Sequence, residues 1–495
     1  MEDYSFYING AWTKASGRKR FETTNPATGE VLATFPAGTR EDVDSAVSAA
    51  VKAFPKWRDT PAPKRGLIML EAARIMRRRK DELGAIVTKE MGKVIAEGKG
   101  DVQEGIDFLE YMAGEGRRLY GETTTSELPD KFCMTVRQPL GPIGLITPWN
   151  FPVAIPMWKS VAAILCGCTV VIKPATLTPL CVAKICEVYE EAGFPPGVFN
   201  MVTGSGPVVG DGIIGHDGIR GISFTGGVET GREVYQKGAK RLIKVGLELG
   251  GKNAIILMED ADLDLAMDGI VFGAFGTAGQ RCTATSRLIV HEGIYDQLLE
   301  RLVKRADALK LGNPLDPKVD VGPVASGEQE KKILEYIEIG KKEGAKLVTG
   351  GKKLTGGGYD AGHFIRPTIF EAKRSHRIAN EEIFGPVLSV LKVKDFDEAV
   401  SVANSVNYGL SSSIYTNDIR RAFKAIQTLE AGITYVNAPT IGAEVHLPFG
   451  GVKDTGFTRE AGSAAVDEFT YEKAVYIDYS GRLQRAQLDT EKLTK

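Results

Sequence analysis

Ile143-Gly144-Leu145-Ile146 and Thr169-Val170-Val171-Ile172 are short apolar runs of strand type, and the stretch between them, 156–165, carries a helical pattern. The alternation continues, with strand-like runs at 198–202, 221–224 and 242–249 and helix-like stretches at 179–191, 207–214 and 229–240. Strands that alternate with helices cannot pair as hairpins, so this series predicts a parallel sheet covered by helices. Upstream, 41–115 reads as helical, with Ala-rich and charged faces. After Gly251 a second alternating block begins, with helices expected at 263–275, 295–308, 329–343 and 396–404 and strands at 287–290, 347–348 and 387–393. A second α/β domain, joined near Gly250-Gly251, is therefore expected. The extended segments 135–138 and 474–479 fall outside both blocks. Val475, Ile477 and Tyr479 alternate with smaller or polar residues, which suits an edge or intersubunit strand and a homodimer or homotetramer.

A chain of 495 residues is long enough for two large domains. Lys plus Arg (62) nearly cancels Asp plus Glu (63), so no overall field recruits nucleic acid or an anionic membrane. The run Met76-Arg77-Arg78-Arg79-Lys80 reads as a solvated helix face. The longest apolar stretch, 160–172, falls short of the ~18–20 residues that span a bilayer, and the acidic start Met1-Glu2-Asp3 shows no signal peptide. Six cysteines do not make a disulfide framework in a chain of this length. Cys166, Cys168, Cys181 and Cys186 lack paired C-x2-C spacing, so no metal site is expected. A reducing, cytoplasmic compartment is expected.

One cysteine stands apart. Cys282 lies in Gly279-Gln280-Arg281-Cys282-Thr283-Ala284-Thr285, small and polar residues between apolar runs. An unpaired cysteine is usually a small buried hydrophobe, yet this setting suits a thiol at the bottom of a cleft. Glu248, in Leu247-Glu248-Leu249-Gly250-Gly251-Lys252-Asn253, offers a base, and Asn150, in Ile146-Thr147-Pro148-Trp149-Asn150-Phe151-Pro152, offers a donor. With Phe224-Thr225-Gly226-Gly227, Glu381-Glu382-Ile383-Phe384-Gly385-Pro386-Val387 and Pro448-Phe449-Gly450-Gly451-Val452-Lys453, these segments resemble the aldehyde dehydrogenase superfamily in order and separation, over nearly the whole chain.

The resemblance implies a Rossmann-type cofactor domain (1–116 and 140–250), an α/β catalytic domain (251–467) and a small β oligomerisation element (117–139 and 468–495). It also implies NAD(P)-dependent oxidation of an aldehyde to an acid through a Cys282 thiohemiacetal and thioester. A thiol suits that attack because it is a few per cent ionised at neutral pH, from a free pKa of about 8.5. The Asn150 amide and the Cys282 backbone N–H would face the developing oxyanion, and Glu248 would activate the hydrolytic water. Glu460 matches a family position for proton relay, with an ordinary surface carboxylate as the alternative.

For the dinucleotide, Gly204-Ser205-Gly206-Pro207 imitates a phosphate loop, but its third glycine comes late, at Gly210, and Pro207 removes a donor. Gly206 and Gly210 stay as candidate contacts, while the resemblance points to Phe224, Thr225, Gly226, Gly227 and Gly231 at a helix N-terminus. Ile146, Thr147, Pro148, Trp149, Leu249 and Gly250 would complete the wall. Glu382 would hold the nicotinamide ribose and Phe384 would lie against the nicotinamide. Thr176 stands where NAD-preferring relatives commonly carry Glu, and Lys173 is beside it, so NADP is expected to be preferred and NAD tolerated. Phe151, Trp158, Thr283 and Phe449 would line an aldehyde tunnel. Arg281 would favour a short aldehyde with a carboxylate or phosphate at its far end. Relatives acting on 2-oxoglutarate semialdehyde and relatives oxidising glyceraldehyde 3-phosphate without phosphorylation both share stretches with the chain. Two readings of other classes stay open: a cysteine thioester or amide hydrolase without a nucleotide, and a non-catalytic protein that keeps the fold. None of His216, His291, His363, His376 or His446 lies in a recognised partner motif for a hydrolase.

Overall fold

Five parallel strands, Pro142–Ile146, Thr169–Lys173, Phe199–Met201, Gly221–Thr225 and Lys244–Glu248, form the centre of the first large sheet in a computed structural model that describes residues 2–488. Numbered along the chain, they lie in the order 3-2-1-4-5, and the hairpin Phe6–Ile8/Ala11–Thr13 extends the far edge antiparallel. This is the doubly wound order, whose switch point falls between Pro142–Ile146 and Gly221–Thr225. Ligands of such sheets bind outside the carboxyl ends of the strands at that point. The segments Thr147–Asn150 and Gly226–Gly227 leave the sheet there.

Four helices, Arg40–Arg58, Ala62–Arg78, Lys80–Met91 and Ile95–Glu115, account for the helical reading of 41–115. The first starts at a capping box in which Thr39 and Asp42 satisfy each other's backbone N–H groups. The last is tied to the site by a buried ion pair, Lys93 Nζ to Asp101 at 3.0 Å, with both side chains inaccessible. Asp101 also accepts from the Ala154 backbone N–H at 2.6 Å, where the helix Ala154–Cys166 begins. Losing Asp101 would strand the Lys93 charge, a defect of about 3–5 kcal/mol.

The second large sheet contains Lys346–Thr349, Thr368–Glu371, Val387–Val393, Thr285–His291, Asn253–Leu257, Ser411–Tyr415 and Ile433–Val436, in that spatial order, parallel except at Lys346–Thr349. Only four residues separate the last strand of the first sheet, ending at Glu248, from the first strand of the second, starting at Asn253. The third sheet is small, with Thr470–Asp478 and Thr123–Thr125 flanking Lys131–Pro139 antiparallel.

Two sequence expectations change. The stretch 207–214 is not one helix but a π turn, Gly206–Gly210, running into the short helix Asp211–Gly215. The strand Ser411–Tyr415 has no apolar alternation to reveal it, yet every residue in it is buried. Its hydroxyls make this tolerable: Ser412 meets Thr434 Oγ1 at 3.0 Å, and Ser413 donates to the Ala438 carbonyl at 2.5 Å. Residues 489–495 of the expected oligomerisation element lie outside the described residues. Among the described residues no helix is long and apolar enough to cross a membrane, and no cluster of His, Cys, Asp or Glu could hold a metal ion.

Candidate active site

Cys282 is held by a backbone that leaves it little freedom. After the helix Leu263–Phe275 the chain turns through Thr277, Ala278 and Gly279, all left-handed (φ 52°, 52° and 69°). That conformation costs a non-glycine residue ~1–2 kcal/mol, and the surroundings enforce it. Glu97 accepts from the Thr277 N–H with both carboxylate oxygens, at 2.9 and 3.1 Å. A Cβ at Gly279 would lie 2.2 Å from the Gly385 carbonyl oxygen, so only glycine fits. Gln280 is buried: its Oε1 accepts from Ala325 N–H at 2.9 Å and its Nε2 donates to the Thr277 carbonyl at 3.1 Å. Asn150 Nδ2 donates to the Gln280 carbonyl at 3.1 Å, and Asn253 Nδ2 donates to the Cys282 carbonyl at 2.7 Å. Asn150 comes from the first sheet and Asn253 from the second, so both hold the nucleophile loop.

Two cavities meet at Cys282. One, of about 130 Å³, is lined by Cys282, Glu248 and Glu460 and by all five residues expected at the tunnel, Phe151, Trp158, Arg281, Thr283 and Phe449. Trp158 and Phe449 meet edge-to-face at 5.0 Å, and the buried Trp158 indole N–H has no partner. The other, of about 190 Å³, is lined by Cys282, Asn150, Pro148, Trp149, Thr225, Gly226, Gly227, Leu249, Gly250, Glu382 and Phe384. Trp149 and Phe384 meet edge-to-face at 5.4 Å, with Phe384 itself at φ 60°. The helix Val228–Lys240 opens onto this second cavity with Gly227 as its N-cap, no side-chain cap and nothing within 4 Å of a Cβ built there. Uncapped N–H groups facing open space suit a pyrophosphate.

Sequence reasoning missed Gln329 and Lys332, which line the second cavity from the helix Gly327–Lys342, and Glu104, which lines the first. Nothing in their local sequence marks them, because each comes from an ordinary helical surface. Ile146, Thr147, Lys173, Thr176, Gly206, Gly210, Phe224 and Gly231 do not line the second cavity. Gly210 sits against the Ile146 and Lys173 side chains, and a Cβ on Gly231 would lie 2.5 Å from Leu249, so its role there is close packing. Thr176 is exposed. Lys173 is not a free cation: its buried Nζ donates to the Pro174 and Gly204 carbonyls at 2.9 and 3.4 Å, and burial lowers its pKa to about 8. Arg281 is likewise engaged, with Nη2 on Glu97 at 2.7 Å and Nε on Thr277 Oγ1 at 2.9 Å. Arg281 thus lines the cavity as expected, with its guanidinium already paired.

Glu248 ends its strand buried. Its Oε1 lies 3.1 Å from Thr458 Oγ1, while Oε2 has no partner. Burial, reinforced by Glu460, raises its pKa well above the ordinary carboxylate value, against the opposing pull of Lys159, Thr458 and Arg459. Glu460 is not a surface carboxylate: it is buried against Lys159 Nζ, which also donates to Ser223 Oγ at 2.8 Å. Cys282 departs from the sequence expectation too. Burial, with Glu248 and Glu382 nearby, pushes its thiol up to about 12, although the Thr283 and Cys282 N–H groups favour the thiolate. In the cofactor-free protein the thiolate is therefore scarcer at pH 7 than in a free cysteine. Alkylation of Cys282 by iodoacetamide in that form should therefore rise about tenfold per pH unit from pH 8 to 10, since each unit below the pKa costs tenfold in thiolate. A plateau by pH 9 would show an ordinary thiol.

Comparison with known proteins agrees with this geometry. The sequence profile of the Aldehyde dehydrogenase family matches residues 12–475. The chain is 44% identical over 477 residues to alpha-ketoglutaric semialdehyde dehydrogenase of Bacillus subtilis, covering 96% of this chain and 98% of that one. It is 44% identical over 470 residues to 2,5-dioxopentanoate dehydrogenase of Saccharolobus solfataricus, covering 94% and 97%. Among solved structures, betaine aldehyde dehydrogenase of Staphylococcus aureus in complex with NAD+ superposes with a TM-score of 0.95 at 34% identity, covering 97% of this chain and 96% of that one. The chain belongs to the aldehyde dehydrogenase family, and it is an NAD(P)-dependent oxidoreductase acting on the aldehyde group.

Proposed function

We propose that this protein oxidises a short semialdehyde, with a carboxylate at the far end, to the corresponding diacid. The observation that carries the chemistry is that Cys282 stands where the two cavities meet, with Glu248 lining the first and Asn150 the second. The Cys282 sulfur adds to the aldehyde carbon, and the oxygen that takes up negative charge faces the Asn150 amide and the Cys282 N–H. One such donor lowers the barrier by ~3–4 kcal/mol. A dinucleotide bound in the second cavity supplies the hydride acceptor. Gly226 and Gly227 would receive its pyrophosphate, Trp149 would cover it, and Glu382 would hold a ribose. Glu248, in its carboxylate form, then takes a proton from the water that hydrolyses the Cys282 thioester, and its raised pKa makes that carboxylate a better base than an ordinary one. Glu460, paired with Lys159, is positioned to pass that proton on.

The semialdehyde reading is supported by the names of the two relatives and by the size of the first cavity, about 130 Å³. Glyceraldehyde 3-phosphate is the second reading. It is disfavoured because the names of both relatives point to a semialdehyde. A nucleotide-free hydrolase leaves the uncapped helix at Gly227 without a purpose. The deciding measurement is kcat/KM for 2-oxoglutarate semialdehyde, succinate semialdehyde, glyceraldehyde 3-phosphate and hexanal. A semialdehyde should exceed hexanal at least tenfold, and hexanal leading the panel would reject the reading.

For the dinucleotide, we infer that NADP is preferred and NAD tolerated. The support is Thr176, an exposed hydroxyl with no carboxylate to repel a 2′-phosphate; Lys173, tied to two carbonyls, adds less. Thr176→Glu should lower the NADP/NAD ratio of kcat/KM about tenfold, the effect of ~1.4 kcal/mol. An unchanged ratio would show that this position does not choose.

We assign residues 1–116 and 140–250 to cofactor binding, 251–467 to catalysis, and 117–139 with 468–495 to assembly. Within the catalytic segment Phe449, Ala461, Ala465 and Val466 pack into the first core, so this stretch closes over the cofactor unit. Six unpaired cysteines among the described residues support a reducing compartment, the cytoplasm. The strand Thr470–Asp478 pairs on one edge only and exposes Tyr476 and Ile477, which supports a homodimer or homotetramer. Light scattering at micromolar concentration should give two or four times the 53.5 kDa chain mass; a monomer would exclude it.

A further inference from the structure

The helix Ile95–Glu115 carries Glu97, Asp101 and Glu104 at spacings of four and three, which sets them on one stripe. The first two are answered: Glu97 by Arg281 at 2.7 Å and by the Thr277 N–H, Asp101 by Lys93 at 3.0 Å and by the Ala154 N–H. Glu104 has no ion pair or hydrogen bond among the described residues, yet it lines the first cavity with Cys282 and Arg281. Both nearby cations are committed to carboxylates and also lie over the Phe151 ring, Lys93 Nζ at 3.7 Å and the Arg281 guanidinium at 5.4 Å from its centroid. A carboxylate entering this cavity therefore meets no uncommitted positive charge.

We infer that Glu104 is the specificity residue that reads the far end of the substrate, donating a hydrogen bond from its protonated carboxyl group to the substrate carboxylate. The inference rests on the semialdehyde reading above and names the group that makes it workable. A neutral carboxylic acid is a donor, and an O–H donated to a carboxylate is among the stronger hydrogen bonds. The charged and titratable groups around Glu104 favour the proton. Asp101 and Asp107 on its own helix oppose ionisation, Lys93 and Arg281 favour it but are answered by Asp101 and Glu97, and the Tyr435 hydroxyl on the strand Ile433–Val436 is neutral at working pH. Burial first and Asp101 second raise the carboxyl to about 8. The bound anion requires the protonated form, so recognition is complete below that pH and is lost above it.

The test is the ratio of kcat/KM for 2-oxoglutarate semialdehyde to that for pentanal, an uncharged aldehyde of the same chain length, from pH 6.5 to 9.5. Both substrates use the same nucleophile, base and dinucleotide, so those titrations cancel. The ratio also does not depend on how much of a preparation is folded. For the native protein it should hold steady to about pH 7.5 and fall roughly tenfold per unit above pH 8, as a single titrating donor requires. Glu104→Gln keeps a neutral donor and should give a ratio flat to pH 9.5. Glu104→Ala should lower the ratio at pH 7 about tenfold or more, the scale of a hydrogen bond to a charged group. A native ratio flat to pH 9.5, or a ratio that rises in Glu104→Ala, would overturn the role of Glu104 while leaving the semialdehyde reading intact. A native ratio near one at pH 7 would instead remove the semialdehyde reading itself.

Discussion

The hydrogen bond from Asn253 Nδ2 to the Cys282 carbonyl, at 2.7 Å, fixes the nucleophile to the four-residue crossing between the two large sheets. Its two central positions, Gly250 and Gly251, have no room for side chains. A Cβ at Gly250 would lie 2.3 Å from the Glu382 carboxylate, and one at Gly251 would lie 2.5 Å from the Cys282 carbonyl oxygen. Glu248, Cys282 and Glu382 are thus set by one short piece of backbone. Glu248 enters the crossing from the first sheet, Asn253 leaves it into the second, and Glu382 is drawn in by the Gly251 N–H at 2.8 Å. The geometry of the reaction is therefore a property of where two parallel sheets are joined.

Burial raises both Glu248 and Cys282, and each opposes ionisation of the other if it ionises first. The low-dielectric setting that suppresses the thiolate also strengthens every dipole aimed at a developing oxyanion. The protein supplies position, donors and, in the buried Glu460–Lys159 pair, an ion pair of its own.

Much of this was legible in the sequence because it is local. Strands such as Thr169–Lys173 and helices such as Pro179–Glu191, Leu263–Phe275 and Tyr295–Ala308 announce themselves by period and punctuation. The resemblance located Cys282, Glu248 and Asn150, and the structure brings them around one junction. What stayed hidden depends on tertiary partners. The serine-rich strand Ser411–Tyr415 is buried although it carries no apolar pattern, with Ser412 and Ser413 satisfied by partners distant in the chain, and Glu104, Gln329 and Lys332 reach the cavities from unremarkable helical faces. A sequence also does not show the partners of Arg281 and Lys173, which Glu97 and backbone carbonyls hold.

The left-handed tract at Thr277 and Ala278 is held open by Glu97, a contact between residues 180 positions apart in the chain. No local preference maintains that turn, and left alone it would relax into a right-handed continuation of the helix before it. Competence therefore requires that the helix Ile95–Glu115 be docked, because Glu97 rides on it. Opening this one contact would leave both sheets intact and still misdirect the sulfur, so the aim of the nucleophile and the integrity of the fold are separable properties.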